Sequence, residues 1–340
     1  MAENTKIQWA THTFNPWRGC QKIAPGCANC YADAQSKRNP GTLGVWGPNG
    51  TRVVASEAMW REPVKWNKDA APVSNFDEVT GDHTSYYCPP RPRPRVFCAS
   101  LADVFEDWPG IMRGPKGGYL HHADKWNVRD GRLYIEIADI AIGKSRVTMA
   151  DVRARLFRLW RSTLNLDWLV LTKRIENARH MLNGRHENLW LGTSIANQED
   201  ADRNIPELLK CRDLCAKLFL SIEPLIGPVM LHHWIDESGA FRHSQGVDVD
   251  WVIVGGESGP NARPCNVEWI RSIVRQCQAA GVPCFVKQLG AVPIGHDGET
   301  SIVGAKERSF GNGSWRRLSD PKGGDPAEWP EDLRVREVSS

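Results

Sequence analysis

The chain predicts an α/β protein folded as an open or partial βα barrel of six or seven parallel strands with long insertions, and three observations carry that expectation. Short apolar runs without polar alternation recur along the sequence, as strands buried on both faces require. Stretches of helical period separate them. Strand, helix and strand in succession imply right-handed crossovers, which wind the strands one way round. A doubly wound open sheet is the competing architecture.

The runs, in order, are Arg95-Val96-Phe97-Cys98-Ala99, Asp167-Trp168-Leu169-Val170-Leu171, Leu189-Trp190-Leu191-Gly192, Lys217-Leu218-Phe219-Leu220-Ser221, Asp250-Trp251-Val252-Ile253-Val254 and Pro283-Cys284-Phe285-Val286. An alternating segment, Lys6 to Phe14, predicts a further strand. Helices are expected from Ala150 to Thr163, with Val152, Leu156, Leu159 and Trp160 on one stripe, and from Val267 to Ala280, stopped by Gly281. Residues 39–94 and 104–149 are too long for simple connections and read as insertions over one face. Residues 290–340 form a C-terminal extension, anchored by Trp315 and Trp329 and expected to fray from Val338. The whole chain, 1–340, reads as one domain.

The 340 residues are 41% hydrophobic and 24% charged, enough for a full core without disulfides. Forty-three basic and 40 acidic residues leave a formal charge of +3, which excludes a protein that coats nucleic acid or membrane through bulk charge. No run approaches the roughly 18 apolar residues of a membrane span, and Met1-Ala2-Glu3-Asn4 opens no export signal. The expected location is the cytoplasm. Ten cysteines then point to packing, metal binding or redox chemistry rather than disulfides.

Cys20, Cys27 and Cys30 are the most informative, spaced C-x6-C-x2-C on a loop turned by Gly19, Pro25 and Gly26. Soft thiolates converging on one centre select zinc or an iron–sulfur cluster. Three ligands leave one coordination position open, whereas a structural zinc takes four. Three buried cysteines, or a zinc completed by His12 or Cys88, are the alternatives. Cys98, Cys211, Cys215, Cys265, Cys277 and Cys284 are assigned to packing, Cys211 and Cys215 on a helix.

A three-cysteine loop after a first strand, followed by a βα barrel, resembles the radical S-adenosylmethionine (SAM) enzymes. More closely, the chain is similar to the phage gene-product thirty-seven/sixty-eight family of three-cysteine, phage-associated proteins. Phe14-Asn15-Pro16-Trp17-Arg18-Gly19-Cys20, Pro25-Gly26-Cys27-Ala28-Asn29-Cys30-Tyr31-Ala32, Leu171-Thr172-Lys173-Arg174, Leu191-Gly192-Thr193-Ser194, Ser221-Ile222-Glu223-Pro224-Leu225, Gly255-Gly256-Glu257-Ser258-Gly259, Val286-Lys287-Gln288 and Asp325 to Arg336 carry the likeness. It implies a radical-SAM-like barrel, a [4Fe–4S] cluster on Cys20, Cys27 and Cys30, S-adenosyl-L-methionine on its open iron, and a one-electron reductant of flavodoxin or ferredoxin type. Two features depart from the wider superfamily. Its commonest loop is C-x3-C-x2-C with an aromatic before the last cysteine, where this chain has Asn29, and its Gly-Gly-Glu ends the second strand, where Gly255-Gly256-Glu257 ends a late one.

Active sites of βα barrels lie at the C-terminal strand ends. Those ends carry Ser100, Asp103, Thr172, Lys173, Arg174, Thr193, Ser194, Glu223, Gly255, Gly256, Glu257, Lys287 and Gln288. This polar ring around one mouth, with Tyr31, is expected to hold the cofactor, with Arg174 and Gln288 facing the substrate; the role of the superfamily's Gly-Gly-Glu is not carried over to Glu257. The chemistry suits a zwitterion bearing a ribose: ammonium seeks carboxylate, carboxylate seeks Lys or Arg, and hydroxyls seek Glu, Asp, Ser or Thr. Glu223, emerging from a buried strand, needs a partner, for which Lys173 or Lys287 serves. Gly255-Gly256 allows close approach by a ligand or a helix. Arg91, Arg93 and Arg95, with Trp46, Trp60, Trp66, Trp108 and Trp126 in the insertions, point toward a nucleic-acid or nucleotide substrate. The leading expectation is a radical SAM enzyme. The alternative is a zinc- or cluster-stapled nucleic-acid-binding phage protein without radical chemistry.

Overall fold

The expected strands assemble into one sheet whose spatial order follows the chain: β1 (His12–Thr13), β2 (Arg95–Cys98), β3 (Asp167–Thr172), β4 (His186–Ser194), β5 (Cys215–Ile222), β6 (Trp251–Gly255) and β7 (Cys284–Gln288). Every neighbouring pair among these seven is parallel, Ala2–Glu3 adds a short antiparallel strand beside β1, and the sheet curls into a half-barrel. The computed structural model describes residues 2–3, 5, 7–71, 92–116, 118–120, 146–231, 249–295, 306–310 and 313–339. Cys88, Arg91 and Trp126 lie outside the described residues.

Helices α1 (Tyr31–Arg38), α2 (Glu57–Asp69), α3 (Met149–Ser162), α4 (Ile175–Met181), α5 (Gln198–Leu209) and α6 (Val267–Ala280) accompany the strands. Local chemistry sets their ends. Thr148 and Asp151 form a reciprocal capping box at α3. The Asn266 side chain accepts from Glu268 N at α6, whose end is set by Gly281 in the left-handed region at φ 66°. The apolar stripe of α3, including Val152, Leu156, Leu159 and Trp160, is buried as its period requires.

Alternation along each strand separates two cores. Val96, Trp168, Leu191, Leu220, Val254 and Val286 belong to the core that includes the buried faces of α3, α5 and α6, while Phe97, Leu169, Trp190, Phe219, Trp251 and Phe285 belong to the second, with Trp9. Trp251 meets the rings of Trp9, Trp190, Phe219 and Phe285 at centroid separations of 5.9 to 6.3 Å. A Cβ on Gly192 would stand 2.3 Å from the Phe219 ring, so this floor is closely packed.

Three expectations change and one gains detail. Of the expected strand over Lys6 to Phe14, only His12–Thr13 forms; Gln8 and Trp9 turn instead, which lets the indole enter the aromatic cluster. Cys211 follows α5 and Cys215 begins β5, so they do not share a helix. The first insertion holds the whole of α2 and the strand Val53–Val54, which pairs with Trp17–Arg18. The tail stays packed beyond Val338: Val335 and Glu337 bond the free edge of β7, and Lys217 Nζ donates to Ser339 Oγ. Among the described residues, no helix is long and apolar enough to cross a membrane.

Candidate functional site

Above the aromatic floor, the same alternation places Gly192, Ser194, Ser221, Glu223, Gly255 and Lys287 on the inner face toward the C-terminal mouth. Thr172 and Thr193 fall on the other face: Thr172 Oγ1 donates to Asp103 Oδ1 at 2.7 Å, and Thr193 Oγ1 to the Thr172 carbonyl at 3.3 Å. Both threonines are buried and support the strand ends.

The cysteine loop sits across this mouth. A Cβ on Gly26 would meet Ala196, Pro224 and Lys173 at 3.4 to 3.7 Å, so the Pro25–Cys27 turn rests on the ends of β3, β4 and β5. Cys27 is buried and Cys20 and Cys30 are partly exposed, all three with free thiols. Cys30 stands at the N-cap of α1, where amides and the helix dipole favour an anion. Tyr31 Oη donates to the Ser100 carbonyl at 2.5 Å, and Asn15 Nδ2 to Ser100 Oγ at 3.0 Å.

Beneath Cys20 lies a buried ionic chain that sequence reasoning found only in part. Arg174 Nη1 donates to Cys20 Sγ at 3.5 Å and to Asp103 Oδ2 at 3.0 Å, while its Nη2 reaches the Gln21 carbonyl at 3.1 Å and Glu106 Oε1 at 3.4 Å. Arg52 grips Glu106 through two bonds of 2.7 and 2.8 Å, both side chains fully buried. Asp103 also caps Phe105 N and receives Lys173 N, so it is both a turn cap and a mouth residue. Burial would weaken the Arg174 guanidinium's hold on its proton, but Asp103, Cys20 and Glu106 outweigh it and keep it charged. Burial, reinforced by Asp103 and Glu106 against Arg174, pushes the Cys20 thiol up to about 12. Cys20 must therefore release a proton when it binds a metal. Arg52 and Glu106 carry no local pattern that marks them.

At the opposite side, Glu223 finds Lys287, not Lys173: Lys287 Nζ donates at 2.6 and 2.8 Å, and Gln288 Nε2 at 3.1 Å. Gln288 reaches this carboxylate because the β6 to β7 register shifts between Val286 and Gln288. Lys173 Nζ instead donates to Ser194 Oγ at 2.6 Å. Gly255 and Gly256 give room to the backbone at the end of β7: a Cβ on Gly255 would meet the Gln288 carbonyl at 3.0 Å, and one on Gly256 the Leu289 carbonyl at 2.3 Å. Glu257 is held by Arg263 and Asn29.

Several of the residues expected to grip a substrate have partners of their own. Trp60 and Trp66 are buried, Trp60 edge-on to Phe14 and Trp66 stacked on His12 at 4.3 Å. Trp108 lies under Arg52. Arg95 opens β2 and Arg93 pairs with Asp167 at the start of β3, so both stand at the end of the sheet away from the mouth.

Among the described residues, no three His, Cys, Asp or Glu side chains gather to hold a single metal ion, and His12 completes no such site. A cubane cluster makes a different demand, because its irons sit at separate corners and hold thiolates farther apart than the ligands of one ion. Three soft thiols on a turning loop, one receiving a guanidinium N–H, are the donors such a cluster takes. No curated protein matches the chain. No solved structure matches it either. A family model described as "Protein of unknown function (DUF5131)" matches residues 4–109 and 119–317, most of the sequence, and the chain belongs to that family.

Proposed function

We propose that this protein is a radical S-adenosylmethionine enzyme in which Cys20, Cys27 and Cys30 hold a [4Fe–4S] cluster. The observation that carries the reading is the three-thiol loop seated over the polar inner mouth of a half-barrel. A bound cluster of this kind supplies one electron to the sulfonium of S-adenosylmethionine, yielding methionine and a 5′-deoxyadenosyl radical that abstracts hydrogen from a substrate.

The chain's own residues bind, orient and exclude water. Among the described residues no carboxylate pairs with Lys173, so its ammonium, braced by Ser194, is available to the cofactor's carboxylate. The Glu223 and Lys287 pair offers acceptors and donors to ribose hydroxyls. Arg174 donates to Cys20 and orients it. The packed aromatic floor closes the barrel below. An external one-electron donor of flavodoxin or ferredoxin type completes the scheme.

The test is anaerobic reconstitution with iron and sulfide, followed by electron paramagnetic resonance of the reduced protein with and without S-adenosylmethionine. About four irons per chain, a signal altered by the cofactor and 5′-deoxyadenosine among the products are expected. One tightly held zinc and no spectral response would overturn the reading and leave the loop as a structural staple.

A further inference from the structure

The geometry points to Glu257 as a positioning residue that holds the cysteine loop across the mouth, rather than a group that touches the cofactor. Its carboxylate is already engaged by four donors. Oε1 accepts from Arg263 Nη2 at 2.7 Å, and Oε2 accepts from Arg263 Nε at 2.8 Å, Arg263 N at 2.8 Å and Asn29 Nδ2 at 3.0 Å. A carboxylate offers about four acceptor sites. The side chain is nearly buried, which leaves little of it for a further ligand to touch.

Both donors belong to the latch. Asn29, between Cys27 and Cys30, gives its second amide hydrogen to the Asn261 carbonyl at 2.7 Å. Arg263 extends Nη1 to the Pro25 carbonyl at 3.0 Å, on the other side of Cys27. One carboxylate at the end of β6 thus grips the loop at two places, Asn29 directly and Pro25 through Arg263. Burial would push Glu257 up, but the Arg263 and Asn29 bonds outweigh it and hold it below its ordinary value, so it accepts as a carboxylate at neutral pH. The two departures from the wider superfamily pattern therefore touch: the residue standing where an aromatic is usual bonds the glutamate of the late Gly-Gly-Glu. This latch does not depend on the radical reading, because each of its bonds joins two residues of the chain.

Hydrogen–deuterium exchange of residues 24–31 in the iron-free, full-length chain tests it. Asn29→Asp is nearly isosteric but sets two carboxylates together. We expect it to speed exchange of that segment at least about tenfold, more than Asn29→Ala, with β3 unchanged. Combining Asn29→Asp with Glu257→Gln restores a donor–acceptor pair, though not the bond to the Asn261 carbonyl, and should return part of the protection. Unchanged exchange in Asn29→Asp, or no recovery in the double variant, would overturn the latch; if the double variant does not fold, the contrast between Asn29→Asp and Asn29→Ala decides. Failure to load iron would sink the radical reading and leave this result standing.

Discussion

The two flanks of the mouth use similar residue types to different ends. Under Cys20, Arg52, Glu106, Arg174 and Asp103 are at most 5% exposed, and each charge is bonded to another of the set. Across the mouth, the side chains of Glu223 and Lys287 keep 19% and 31% of their surface, and Lys173 meets a hydroxyl. A buried ionic chain whose charges bond one another has little to give a ligand, so the first flank reads as scaffold for the cysteine loop. The second keeps charge where a small molecule can reach it.

The sharpest way to break this contrast is Glu106→Gln. It leaves the fully buried Arg52 without a counter-charge and should cost about 3–5 kcal/mol in urea unfolding. A cost no larger than that of Glu223→Gln would abolish the distinction. Acid unfolding sharpens it next, once a third group is removed. Burial and then the Arg161 charge push His186 down to about 4 from 6.5. Among the described residues neither ring nitrogen has a hydrogen-bond partner, and the ring packs against Phe157 and Trp160. The unfolded chain takes up a proton below 6.5 that the folded chain refuses until about 4. Stability is therefore full above 6.5 and falls as pH drops through that window, by on the order of 3 kcal/mol. His186→Leu should flatten that part of the curve and leave the carboxylates as the remaining source of acid loss.

Gly192→Ala probes the floor beneath both flanks. Its Cβ would strike the Phe219 ring, and overpacking of this kind costs about 1–3 kcal/mol in thermal or urea unfolding. A neutral result would mean that the inner face has room there. The smallest stability effect is expected for Glu223→Gln, within about 1 kcal/mol because the pair is part-exposed. The same variant should weaken the spectral response to S-adenosylmethionine about tenfold or more in concentration.

The strands were legible because burial on two faces leaves a local trace of uninterrupted apolar residues, and α6 because Asn266 and Gly281 punctuate a periodic stripe. Trp9 was misread because alternation over Lys6 to Phe14 does not tell a strand from a turn that sends one indole inward. The inner-face ring was legible in composition but not in partnership: either lysine satisfied the need of Glu223.

What the sequence alone determined is what short-range patterning can encode: a parallel βα rhythm, a glycine- and proline-turned loop of three thiols, and polar residues at the strand ends. Tertiary structure decided the pairings. Lys287 lies 64 residues from Glu223 and Asn29 lies 228 from Glu257, while Arg52 and Glu106 meet across 54. Such contacts carry no period, because a charge in a crevice is satisfied by whichever partner the fold brings within hydrogen-bond distance.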